Sequence, residues 1–184
     1  MKSDNVVALL RLALLVPLFW LLARGGQFHF WAALSVFTFV GLAGLIEGFF
    51  RRTPFSPFCS VLHVLADRLL TVVVVVGLVT AGMQHALVLI PSLILIARDV
   101  IVGTLNEALS GDMRTPMLGL EKGRIGLQVV GLGFLIAPNM VLPDVNVSSV
   151  AVGSMALIVA AILAVVTLVQ YWRSAVTTFV TSPD

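Results

Sequence analysis

The sequence predicts an all-α polytopic membrane protein with six transmembrane helices. Of its 184 residues, 59% are hydrophobic and only 11% charged, and the mean hydropathy is +1.09. A soluble domain carries about a quarter charged residues, so this chain cannot cover its surface with polar groups and its solvent must be lipid. Six apolar runs each approach the roughly 20 residues that span a bilayer. Lys and Arg gather in alternate loops, as the positive-inside rule requires of a polytopic chain.

The first run covers roughly Val6 to Ala23, with a kink or break expected near Pro17. It lacks a small-residue cleavage site, so it reads as a retained helix rather than a signal peptide. The second run covers roughly Phe28 to Phe50, and the third Ser56 to Ala81. The fourth covers His85 to Leu105 with Pro91 inside, the fifth Glu121 to Leu142, and the sixth Val147 to Trp172. β-branched residues dominate several runs, which is a poor helix signal in water. In lipid the helix satisfies its own backbone, and that requirement overrides propensity.

With the N-terminus in the cytoplasm, that side receives Lys2, Arg51, Arg52, Arg114, Lys122, Arg124 and Arg173, and the other side only Arg24. Both termini are therefore expected inside, and residues 1–184 form one six-helix transmembrane domain. Trp20, Trp31 and Trp172 stand near run ends, where interfacial anchors belong. The pI near 9.2 reflects basic residues scattered over these ends and not a nucleic-acid footprint. One Cys excludes an intrachain disulfide. No inverted repeat and no continuous polar stripe supports a transporter.

The stretch Gly44 to Asp67 breaks the apolar pattern. It reads GLIEGFFRRTPFSPFCSVLHVLAD. Ionisable groups at membrane depth are costly, so this cluster is a candidate site. On a helix, Cys59, His63 and Asp67 are one turn apart and share a face. Arg98 and Asp99 lie within the fourth run, and Lys122 and Arg124 open the fifth. A polar cavity facing the cytoplasm follows. Within it, Asp67 is expected to pair with Arg98 or with an arginine of another helix. His63 reads as a neutral, hydrogen-bonded packing residue. Asp99 points about 100° away from Arg98 on a helix and so is not that residue's automatic partner. Cys59, His63 and Asp67 offer S, N and O donors that suit zinc, on a pattern too short to be specific. Gly41, Gly44 and Gly48 also read as small residues for close helix packing.

These residues resemble a known family. The CDP-alcohol phosphatidyltransferases carry D-x2-D-G-x2-A-R-x8-G-x3-D-x3-D across their second and third helices. The matching stretch here is Gly44-x2-Glu47-Gly48-x2-Arg51-Arg52, then six residues, then Cys59-x3-His63-x3-Asp67. Asn5 to Pro17 is similar to the family's N-terminal N…R…P segment, and Val64–Leu70 (VLADRLL) resembles its DPLADKLL. Ala97-Arg98-Asp99 is similar to its A-R-D/E. Glu121 to Gln128 is similar to its G-K-x-K-T-A-x-Q. Within the family the likeness is to the phosphatidylglycerophosphate synthases, which join CDP-diacylglycerol to glycerol 3-phosphate and release CMP.

The resemblance implies a set of roles. The signature carboxylates hold two Mg²⁺ or Mn²⁺ ions on the pyrophosphate of the CDP-lipid, and the last Asp is the base. Carried over, the metal ligands are Glu47, His63 and Asp67, and Asp67 is also the base. Gly48 and Arg52 fall on CDP-lipid-binding positions. Arg98, Lys122 and Arg124 fall on positions that gather the acceptor's phosphate. The partners implied are membrane lipid, CDP-diacylglycerol or a phosphate-bearing alcohol, and a second copy of the chain or a larger membrane complex. The compartment implied is the bacterial inner membrane.

The sequence departs from the signature at three of its four Asp positions: Gly44, Glu47 and His63 stand there, and Asp67 alone is retained. Mg²⁺ prefers hard oxygen donors in near-octahedral order, and two such ions need several carboxylates. Arg51 stands in place of the motif's Ala and Cys59 in place of its later Gly. Arg51 and Arg52 read equally as phosphate ligands or as positive-inside charges. Two functions follow. One is a non-catalytic descendant that binds lipid or phosphate or serves as a structural membrane subunit. The other is a divergent, active phosphatidyltransferase using Glu47, His63 and Asp67 with an altered metal.

Overall fold

The computed structural model describes residues 3–50, 57–83, 85–108, 118–137, 141–142 and 147–181. Each expected run is a helix: α1 (Ser3–Arg24), α2 (Gln27–Phe50), α3 (Pro57–Thr80), α4 (Ala86–Ala108), α5 (Leu118–Ile136) and α6 (Ser149–Thr181). Among the described residues, five of these helices are long and apolar enough to cross a membrane. The exception is α5, whose 19 residues include Glu121, Lys122 and Arg124. The chain is an integral membrane protein. Large apolar side chains stay exposed along the helices, Val16 at 73% and Ile162 at 59% among them, as lipid contact allows.

Three boundaries differ from the sequence reading. Helix α1 runs unbroken through Pro17, so no break occurs there. Helix α5 ends at Ile136 rather than Leu142, because Pro138 disfavours helical backbone at the residue before it. Val141–Leu142 instead form β1, antiparallel to β2 (Val147–Ser148), with Val141 opposite Ser148. Helix α6 continues past Trp172 to Thr181. Its 33 residues measure about 50 Å, well beyond the roughly 30 Å hydrocarbon core.

Helix α1 turns into α2 through Gly25 (φ 64°) and Gly26 (φ 87°), a left-handed pair that only glycine adopts without strain. The Gly25 N–H closes the end of α1 by donating to the Leu22 carbonyl at 3.1 Å. The most extensive packing pairs are α5 with α6, α1 with α3, and α4 with α6. Lipid gives no hydrophobic drive between helices, so close van der Waals fit must hold them. At the α5–α6 crossing the fit is backbone on backbone: a Cβ on Gly153 would lie 2.8 Å from the Gly131 carbonyl oxygen. The core beside it comprises Leu18, Leu22, Phe37, Leu78, Leu132 and Leu157, all nearly sealed. This packing fixes α3, α4 and α5 around one polar cavity.

Candidate functional site

The cavity has a volume of about 410 Å³ and is walled by α2 to α6. Gly41 and Gly44 line it from α2, Asp67, Arg68 and Thr71 from α3, and Arg98 and Asp99 from α4. Glu121, Lys122, Arg124 and Gln128 close it from α5, and Tyr171 from α6. A second hollow of about 350 Å³ between α4 and α6 is lined by Ile90, Ile94, Ile158, Ile162 and other apolar residues, and offers no polar chemistry.

One wall is built around Arg11. This residue is in the apolar middle of α1, yet it is 1% exposed. The close packing of α1 on α3 delivers its guanidinium to His63 and Asp67, one turn apart on α3. Arg11 Nη1 donates to His63 Nδ1 at 2.8 Å, and Nη2 donates to Asp67 Oδ1. A guanidinium only donates, so Nδ1 is the acceptor and the ring proton of a neutral His63 is on Nε2. The outer side of Asp67 opens to the cavity, with 56% of its side chain exposed. Gly44 faces the same guanidinium. A Cβ there would overlap Arg11 Nη2 and lie 3.0 Å from Asp67 Oδ1. Any side chain at position 44 therefore competes with Arg11 for the same space.

The opposite wall is a closed ring of four charges. Arg98 donates to Asp99 at 3.0 Å and to Glu121 at 2.7 Å. Arg124 meets Glu121 at 2.8 Å and Asp99 at 3.2 Å. Each arginine thus touches both carboxylates. The long Arg98 side chain bends back to its sequence neighbour, so the expected divergence of the two positions does not separate their tips. Arg98 also reaches Thr167 of α6 at 3.3 Å and lies 5.3 Å from the Tyr171 ring centre. Arg124 bonds Gln128 at 3.0 Å, and Gln128 bonds Thr71 of α3 at 2.6 Å. The network ties four helices together, with both guanidiniums nearly buried.

The structure brings Asp67, Arg98, Lys122 and Arg124 to one cavity, as the sequence led us to expect, and sets His63 directly behind Asp67. Asp67 pairs with another helix's arginine, and that arginine is Arg11 rather than Arg98. Glu47 and Gly48 fall in the last turn of α2, and their side chains lie outside the described residues. Cys59 lies in the first turn of α3 with its side chain likewise outside them, and Arg51 and Arg52 are outside altogether. Among the described residues, no three of His, Cys, Asp and Glu converge to hold a metal.

Sequence reasoning treated Arg11 as a landmark and missed it as part of the site. A signal was available: an arginine in the middle of a spanning helix needs an anionic partner.

The family model described as CDP-alcohol phosphatidyltransferase matches residues 1–181. The chain belongs to the CDP-alcohol phosphatidyltransferase family. It is also 29% identical, over 182 residues, to a CDP-diacylglycerol–glycerol-3-phosphate 3-phosphatidyltransferase from Pseudomonas fluorescens. That alignment covers 95% of this chain and 90% of the relative.

Proposed function

We propose that this family member keeps the transferase fold and has lost the transfer reaction, acting as a lipid- or phosphate-binding or structural subunit in the membrane. The observation that supports this reading is Arg11 in the room beside Gly44 and Asp67. The residues present do not fit a pair of divalent ions. A guanidinium already neutralises Asp67, and His63 has a nitrogen where the signature has a carboxylate oxygen, with Nδ1 turned toward that guanidinium. A dication about 5 Å from a fixed guanidinium is opposed by roughly 7 kcal/mol at an effective dielectric near 20. The retained carboxylates, Glu47 and Asp67, are too few to offset that for two ions.

The same reading orients the molecule with both termini and the cavity mouth toward the cytoplasm of a bacterial inner membrane, supported by the Lys and Arg distribution. It treats the chain as one domain, acting as a homodimer or within a larger complex. The test is CMP release. Purified protein is given CDP-diacylglycerol with glycerol 3-phosphate, and with other alcohols, across Mg²⁺, Mn²⁺ and Zn²⁺. No CMP is expected. CMP release that Asp67→Asn abolishes would overturn the proposal and establish the divergent transferase.

A further inference from the structure

We propose that the turn from α1 into α2 is a headgroup seat for an anionic phospholipid, with Arg24 held on the Trp20 ring to take the phosphodiester. The seat is remote from the cavity: Arg24 ends α1 about 20 Å along the helix from Arg11. It goes beyond the reading above and holds whether or not the chain transfers anything.

The local sequence builds the seat. Trp20 and Arg24 are one helical turn apart at the end of α1, so their side chains share a face. Arg24 Cζ stands 4.2 Å from the Trp20 ring centre, where the ring attracts the charge. A ring face has no oxygen, so the exposed guanidinium keeps its hydrogen bonds for an oxyanion. The glycine pair at Gly25 and Gly26 then turns α2 back against this platform. His29 of α2 meets the Trp20 ring edge-on, with centroids 6.3 Å apart, and Phe28 meets His29 at 6.0 Å. His29 Nδ1 lies 3.6 Å from the place of a Cβ on Gly26, so the imidazole folds over the turn and holds the Trp20 ring from the other helix.

The surroundings select the ligand. Trp20 is 50% exposed, Phe28 79% and Trp31 43%. On a chain solvated by lipid, such rings at the ends of spans stand at headgroup level. A ligand at that level that uses both the cation and the rings carries a phosphate on apolar chains, which describes a phospholipid and not a free anion. Between residues 12 and 50 Arg24 is the only Lys or Arg, and residues 5–46 contain no Asp or Glu. The two helices thus bring one positive charge to the turn, matched by the single negative charge of a phosphodiester through a charge-assisted fork. In a zwitterionic headgroup the ammonium competes for that phosphate and repels the guanidinium, so a headgroup without an amine is favoured.

The test reads the turn alone. Trp31→Phe with Trp172→Phe leaves Trp20 as the one tryptophan of the full chain, so lipid bound at other basic residues goes unread. This protein, purified in a mild detergent, is titrated with phosphatidylglycerol and with phosphatidylcholine while Trp20 emission is followed. A saturable change is expected at lower concentration for phosphatidylglycerol. Arg24→Gln should weaken that preference by about fivefold, the contribution of one cation near a membrane surface. Arg24 is exposed, so the substitution should not disturb folding. Arg24→Lys keeps the charge and loses the planar fork, and should retain part of the preference. About 0.5 M salt should reduce it as well. Excess inorganic phosphate should not displace the lipid. Equal response to the two lipids, an undiminished preference in Arg24→Gln, or displacement by inorganic phosphate would each overturn the proposal.

Discussion

The two walls of the cavity treat buried charge in opposite ways. On the α4–α5 wall, two arginines and two carboxylates form a ring in which every charge touches two opposite ones. On the α1–α3 wall, among the described residues, buried Arg11 meets the half-open Asp67 and the His63 imidazole. The ring is charge-balanced and largely buried, and it ties α4 to α5. The Arg11 wall leaves a carboxylate face open, so its chemistry depends on what reaches it. A family resemblance read residue by residue suggests an acidic metal wall facing a basic phosphate wall. Among the described side chains, Arg11 stands against Asp67 on the first of these walls, and two carboxylates balance Arg98 and Arg124 on the second.

The largest expected effect tests the ring. Arg98→Met removes one cation and leaves Asp99 and Glu121 sharing Arg124 alone. Breaking one partner out of a buried ion network strands an uncompensated charge, at about 3–5 kcal/mol. Thermal unfolding in detergent should show that loss. Adding Glu121→Gln to Arg98→Met should recover part of it, because the second change removes the stranded charge. Additive losses in the double variant would show that the two residues do not act as one network.

The Arg11 wall should respond more weakly in stability and more strongly in chemistry. Arg11→Met strands Asp67, but with 56% of its side chain exposed that carboxylate keeps much of its hydration. A loss of about 2 kcal/mol is expected, below that of Arg98→Met. Metal binding is the sharper readout. Gly44→Asp with His63→Asp should still bind Mn²⁺ poorly, because Arg11 occupies the space at position 44. Adding Arg11→Met should open that space, and titration followed by electron paramagnetic resonance should then detect bound Mn²⁺. Tight Mn²⁺ binding by the unaltered protein would remove Arg11 from its role as the plug.

How much of this was legible in the sequence depends on range. Apolar runs near the spanning length located all six helices, because lipid forces backbone hydrogen bonding to close locally. Residues four apart on α3, His63 and Asp67, were correctly put on one face by helical periodicity alone. The pairing of Arg11 with Asp67 joins positions 56 apart, and no local rule selects it from the other arginines. Gly131 and Gly153 were equally hidden: glycines mark where helices can touch, but not which helices do. The partnership of Asp99 with Arg98 was left open for a different reason. Backbone direction was used for a partner whose side chain is long enough to curl back across that angle.

The smallest effect examines the seam between the two walls. Gln128 donates to Thr71 at 2.6 Å while accepting from Arg124 at 3.0 Å, so one amide connects α3 to the ring. Thr71→Val keeps the shape and removes the acceptor. A buried neutral hydrogen bond contributes about 1 kcal/mol, so the thermal shift should be the least of the three. If the seam carries orientation as well as stability, Thr71→Val should also reduce the penalty of Arg124→Gln in a double-mutant cycle, because Gln128 would already be loose. Strict additivity would instead make the walls independent units that share only the cavity between them.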